Sequence, residues 1–219
     1  MIQEITPTIQ DRLNLSALIL KKNYPKANIS SWFGFNINND LEVKHVKRLL
    51  KLHGVKSGLH LRNALQRYEN GEIASNSFEK LAAEFRTDTT SRFDAKCNAQ
   101  ENFRIKNTYK IVWKHRFNLK QEKLLGYEMA YSIFLMRLGG VLGFISTEEM
   151  ELRLEDINER VKTTFTSWGE FHRNVCLGDE FILGVAEPDT SIFPVSDTIW
   201  GCYQRLNIEH ADRFKEWKL

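Results

Sequence analysis

Three cysteines in 219 residues, Cys97, Cys176 and Cys202, are odd in number and far apart. No CxxC pair exists, so neither a disulfide framework nor a paired-cysteine zinc site is expected, and a reducing compartment fits best. The N-terminus, MIQEITPTIQDR, carries charges where a secretory leader needs an apolar run. The expected location is the cytoplasm. Strand-like alternation is scarce, and neither an internal repeat nor a low-complexity tract is present. Catalytic signatures are missing as well: there is no GxSxG, no HExxH and no HxH. Gly139-Gly140-x-x-Gly143 has no following Lys-Ser/Thr and no preceding strand, so it reads as helix termination or close helix approach rather than a phosphate cradle. His45, His53 and His60 are spaced too widely, with Gly54 between the last two, to make a metal triad. No cofactor and no metal are expected.

A one-sided charge is lacking too. The net charge of +3 is too weak alone to argue for nucleic acid. Only Leu124 to Ile145 is long and apolar enough to test as a membrane span. It contains Glu128 and Arg137, each costing roughly 2.5–3.5 kcal/mol on insertion. A buried core helix is the better reading, and no membrane partner is expected.

What the chain does hold is helical periodicity. Residues 9–22 read as a first helix, with Pro25 beyond it. Asp40 is placed to cap a second, whose Val43, Val46, Leu49, Leu50 and His53 form a stripe that Gly54 stops. Ser57 caps a third with Leu61, Leu65 and Tyr68 on one side, ended by Asn70-Gly71. Residues 76–86 form a fourth around Phe78, Leu81, Ala82 and Phe85. The polar stretch 87–101 reads as an internal loop, part of it open to helix. Phe103–Phe117 resumes with Ile105, Tyr109, Val112 and Trp113. Leu124, Tyr127, Tyr131, Phe134, Leu138 and Val141 then step by three and four along one stripe. Ser146 with Glu149 and Ser167 with Glu170 have capping-box spacing. They open a helix facing inward with Met150, Leu154, Ile157 and Val161, and a short one with Phe171 and Val175, closed by Gly178. PDTSIFPVSDTIWG (188–201) reads as an irregular strap, and a last helix spans Ile208–Trp217. The expected fold is mainly α: a single compact multi-helix domain over 1–219 with an irregular C-terminal strap.

Candidate chemistry is sparse. Glu128 and Arg137 are two charges in an apolar helix. They are either a general base or ligand and an anion clamp, or structural ions bonded to caps and loops. Trp168 is either a binding platform or a core anchor. His172 shares its helix face and would need an acid or nucleophile nearby to be catalytic. From Arg104 to Lys123 there are seven Lys or Arg, with Lys106, Lys110 and Lys114 at helical spacing, interleaved with Tyr109, Trp113 and Phe117. Such a run binds nucleic acid or an acidic protein, or is simply a solvated helix face. The acids of 148–159 suit the start of a helix.

Tyr127-Glu128, Arg137, Gly143-Phe144, Ser167-Trp168 and Leu177-Gly178, in that order, resemble a bacterial family catalogued as domain of unknown function 1266. SSWFGFNINNDLEVKHVKRLLKLHG is similar to the family's opening Trp-Gly block and the helix after it, giving a family-like core of about 30–181. The resemblance implies a mostly helical cytoplasmic bacterial protein and no particular activity, substrate or cofactor. The family's Arg three residues after the acid is Tyr131 here. Glu128 therefore needs solvent, the Tyr131 hydroxyl, Ser132 or a residue from elsewhere. Arg137, nine residues on, lies on the opposite helix face at roughly 100° per residue.

The expected function is a protein-interaction module, of inhibitor or immunity type, with no enzymatic activity. One alternative is an enzyme or small-ligand binder using Glu128, Arg137, Trp168 and His172, with Tyr127 and Tyr131 as binding residues. Another is nucleic-acid binding through 104–123. Oligomeric state is left open.

Overall fold

The computed structural model describes residues 5–119, 122–185 and 198–217. Among these there are eleven α-helices and no strand. They are α1 Pro7–Asn14, α2 Ala17–Asn23, α3 Asp40–Leu52, α4 Gly58–Glu69, α5 Ser75–Phe85, α6 Thr90–Asn98, α7 Phe103–His115, α8 Leu125–Val141, α9 Thr147–Thr164, α10 Trp168–Leu183 and α11 Ile199–Glu209. A 3-10 turn, Ala211–Arg213, follows α11.

The fold is organised by α8. Every residue from Gly126 to Gly139 is buried, so its apolar stripe is only one side of a helix enclosed all round. Helices α2, α3, α4, α9 and α10 pack against it. Burying each large side chain here, such as Ile133, Phe134 or Leu138, contributes about 1.5–3 kcal/mol. Two glycines let neighbours approach. A β-carbon on Gly139 would collide with Leu61 of α4, and one on Gly178 would collide with Tyr127 of α8. No helix among the described residues is long and apolar enough to cross a membrane.

Caps follow the sequence with small shifts. The Ser57, Ser146 and Ser167 side chains accept from the amides of His60, Glu149 and Glu170. The reciprocal half of each box is redirected. Glu149 turns to Arg62 and Arg153, and Glu170 accepts from Thr166 rather than from the cap residue. Asn39, not Asp40, caps α3, accepting from Leu41 and Glu42; Asp40 is the first helical residue, where its charge suits the helix dipole.

Five expectations are corrected. The single helix over 9–22 is two, α1 and α2, broken at Leu15–Ser16. The 87–101 loop holds α6, capped by Thr89, because Phe93 and Cys97 reach the core and Phe93 stacks on Trp113 at 4.3 Å. Gly178 does not close α10. The helix runs on to Leu183 and ends at Gly184, whose φ of 61° is left-handed. A mid-helix glycine costs about 1 kcal/mol, offset here by the close packing of Tyr127. The last helix is Ile199–Glu209, set by the Thr198 cap and the buried Ile199, Cys202 and Leu206, not Ile208–Trp217. Residues 199–201 therefore belong to α11 rather than to the strap; its stretch 188–197 lies outside the described residues.

Candidate functional site

The two charges of α8 part company. Glu128 is fully buried and reaches the start of α5, where its Oε1 accepts from the amides of Ala74 (2.7 Å) and Ser75 (3.0 Å). Helix α5 has no capping side chain of its own, so Glu128 caps it from another helix. Its Oε2 meets no hydrogen-bond partner among the described residues. Burial raises the carboxyl to about 7, against the backbone N–H bonds, which favour the ion. Glu128 thus finds its partner elsewhere in the fold, but on a backbone rather than on a residue of opposite charge. Ser132 instead donates to Glu69 at 2.9 Å.

Arg137 is buried without a carboxylate. NH1 donates to the Leu13 carbonyl (3.3 Å) and Ser16 Oγ (3.1 Å). NH2 reaches the carbonyls of Asn28, Ile29 and Ser31, the last at 2.7 Å. The guanidinium therefore collects the carbonyls exposed where α1 ends and those of the loop after α2, and this explains the break between the two helices. Burial lowers it to about 9. Both terminal nitrogens are occupied, so the anion-clamp geometry is not present.

Tyr127 and Tyr131 are core residues. Their rings lie 4.7 Å apart, and Tyr68 stacks on Tyr131 at 5.5 Å. The Tyr131 hydroxyl interacts with Tyr127 and Asn23, and burial raises all three phenols. Beside them, Asp179 pairs with Lys22 at 2.6 Å.

Trp168 is a core anchor. It donates through Nε1 to the Glu216 carbonyl at 3.0 Å and meets Phe214 and Trp217 edge-on. His172 lies 5.5 Å from it, ring to ring, enclosed with Phe171, Tyr203 and Phe214. Neither imidazole nitrogen has a hydrogen-bond partner among the described residues, and burial lowers its pKa to about 3. A neutral, sealed imidazole without an acid or nucleophile in contact is poorly placed for proton transfer. The structure brings Trp168 and His172 together, and Tyr127 and Tyr131 together. It joins neither pair to Glu128 or Arg137 in one cavity among the described residues.

The basic segment is different. Lys110 and Lys114 are exposed on α7 and Lys106 is half-buried. Two of its aromatics are turned inward: Tyr109 packs edge-on to Phe85, and Trp113 is covered by Phe93 on one side and Arg116 on the other, whereas Phe117 is 57% exposed. What lies open is apolar surface at the seam with the end of α10. Asn107 donates to the Gly184 carbonyl at 3.1 Å, fixing the two helices together. Flanking that seam, Phe103 is 72% exposed, and Ile105, Ile182, Leu183 and Val185 are exposed too. Arg104, Lys106 and Lys110 form no ion pair among the described residues. The α10 half was missed in the sequence because Gly178 was read as the end of that helix.

Fold and site together define an all-helical domain whose buried ions serve its own backbone and whose unspent chemistry is on the outside. The chain belongs to the family described as protein of unknown function (DUF1266), whose model matches residues 48–217. The match starts after the Trp-Gly block at 31–35 and continues past Phe181 through α11. No curated protein and no solved structure matches.

Proposed function

We propose that the chain is a protein-binding module that docks its partner on the α7–α10 surface. The observation that carries this is the exposed apolar seam of Phe103, Ile105, Ile182, Leu183 and Val185 beside Arg104, Lys106 and Lys110, cations with no ion pair among the described residues. An apolar patch edged with charge of one sign is the composition of a recognition surface. The partner it fits presents apolar side chains edged with carboxylates. An inhibitor or immunity-type role is one form of this reading, distinguished by whether the captured partner is an enzyme or toxin that loses activity on binding. The buried, free state of Cys97, Cys176 and Cys202 supports a reducing, cytoplasmic setting.

Nucleic-acid binding would use the same cations, but with Tyr109 and Trp113 turned inward only Phe103 and Phe117 are left exposed to stack on bases. The enzyme or small-ligand reading through Glu128, Arg137, Trp168 and His172 has less to support it, since among the described residues each of the four is buried and only Trp168 and His172 are in contact with one another. A photo-crosslinking residue placed at Phe103 or Leu183, and at exposed Ile208 of α11 as control, tests the proposal. The expected result is one discrete protein adduct at the first two positions, abolished by Lys106→Glu with Lys110→Glu. Equal yields at Ile208, or capture of nucleic acid alone, would refute it.

A further inference from the structure

The α3 helix carries a second, separate surface. At roughly 100° per residue, Leu41, Lys44, Lys47, Arg48, Lys51 and Leu52 fall within an arc of roughly 140°. All six are exposed, Leu41 at 74% and Leu52 at 72%. Among the described residues, none of the four cations is in an ion pair or side-chain hydrogen bond. Asp40, at the first turn, is the one acid in that arc. The opposite face of α3 is spent on the core through Val46, Leu49 and Leu50.

Helix α9 presents the complement. Glu148, Glu151, Leu152, Glu155 and Glu159 share an arc of roughly 100°, and Leu152 is 69% exposed. The internal partners of this acid are mostly its own neighbours: Glu148 accepts from Thr147 at 3.3 Å, Glu159 pairs with Lys162 of the same helix, and Glu155 meets Arg12 only at 3.9 Å. The spacing matches as well as the sign. Lys44 to Lys51 and Glu148 to Glu155 are both seven residues, about 10.5 Å of helix at a rise of about 1.5 Å per residue. Cations and carboxylates on two such helices meet rung for rung, with exposed leucines on each side to exclude water between them.

We infer that the α3 face docks the α9 face of a second copy of this chain. The contact joins different surfaces of the two copies, so it is heterologous, closing into a ring or extending with concentration. Charge pairs of this exposure are screened by salt.

Sedimentation velocity of the intact chain over a hundredfold concentration range tests this. At low salt the mean mass rises with concentration, and in about 0.5 M salt the association constant falls by about tenfold or more. Lys47→Gln with Arg48→Gln, and separately Glu151→Gln with Glu155→Gln, each abolish association while leaving the helical circular dichroism unchanged. Mixed, the two variants form a 1:1 complex that does not grow, because one intact basic face meets one intact acidic face. The inference is overturned if the wild type stays monomeric at low salt, if either double variant associates like wild type, or if the mixture stays monomeric. It is also overturned if α3 retains anionic phospholipid vesicles or nucleic acid while the chain remains monomeric. None of these variants touches the α7–α10 seam, so crosslinking at Phe103 stays at wild-type yield whichever way this comes out.

Discussion

Replacing Glu128 by Gln should change how stability depends on pH more than it changes stability itself. The carboxyl titrates at about 7 in the folded protein against an ordinary 4.5, because burial outweighs the amides of Ala74 and Ser75. Between those values the folded chain holds a proton that the unfolded chain has released. The folded pKa is raised, so stability relative to the Gln variant is highest below about pH 4.5. It declines as pH rises and is fully lost above about 7. At roughly 1.4 kcal/mol per pH unit, the gap corresponds to about 3 kcal/mol. Glutamine keeps an oxygen for the two amides but puts an NH2 where Oε2 has no partner, costing about 1–3 kcal/mol at every pH. That constant offset does not alter the slope.

The assay is urea unfolding of wild type and Glu128→Gln at several pH values from 4.5 to 8. The quantity to plot is the difference between the two stabilities. A difference is needed because His172 acts in the opposite sense: its folded pKa is lowered to about 3, so its contribution is complete above about 6.5 and lost as pH falls. Both proteins carry His172, and it cancels. A difference curve that stays flat across the range would refute the argument, since Glu128 would then be ionised or solvated like a surface carboxylate.

Arg137→Met should destabilise the fold by more than about 3 kcal/mol in chemical denaturation, because several buried carbonyls of the α1–α2 junction and the 28–31 loop lose their donor at about 1–3 kcal/mol each. A loss under about 1 kcal/mol would mean that water or a loop shift replaces the guanidinium. Gly178→Ala should cost about 1–3 kcal/mol through overpacking against Tyr127, although alanine is the better helix former by about 1 kcal/mol; a raised melting temperature would show that α8 and α10 part without penalty. His172→Phe should be neutral or stabilising at pH 7, and its stability relative to wild type should rise as pH falls from 6.5 to 4.5, since it removes a group that must stay neutral to stay buried. A difference between variant and wild type that stays flat through that window would count against a sealed imidazole.

Element type was readable where a residue's role was local. Ser57, Ser146 and Ser167 cap helices because hydroxyl and amide are three residues apart, and Gly54 and Gly71 take left-handed backbone just past helix ends. The errors came where a distant residue decides. In residues 9–22 only Ser16, whose hydroxyl donates to the Leu13 carbonyl, marks the break, and Arg137, more than a hundred residues away, holds it by donating to the same carbonyl and to Ser16. Nothing in 87–101 has a strong stripe, yet Phe93, packed on Trp113 and Phe85, joins Cys97 in the core and, with the Thr89 cap, orders α6. Gly178 looked like a stop signal, because in sequence a glycine that ends a helix and one that admits a neighbouring helix are the same letter.

The same distinction explains why the candidate site moved. A charge in an apolar helix is conspicuous because its desolvation has to be offset, and a catalytic or ligand role is one way to offset it. Backbone dipoles are another, and they leave no trace in the sequence. Glu128 takes the amides at the start of α5, which lacks its own cap, and Arg137 takes carbonyls that α1 and the 28–31 loop leave open. Each ion is therefore matched to a defect in hydrogen bonding that the fold itself creates. Glu128 keeps only Oε2 and Arg137 only Nε without a partner among the described residues, both sealed in the core, so on the readings proposed above a partner gains its binding energy from the exposed charges of α3, α7 and α9.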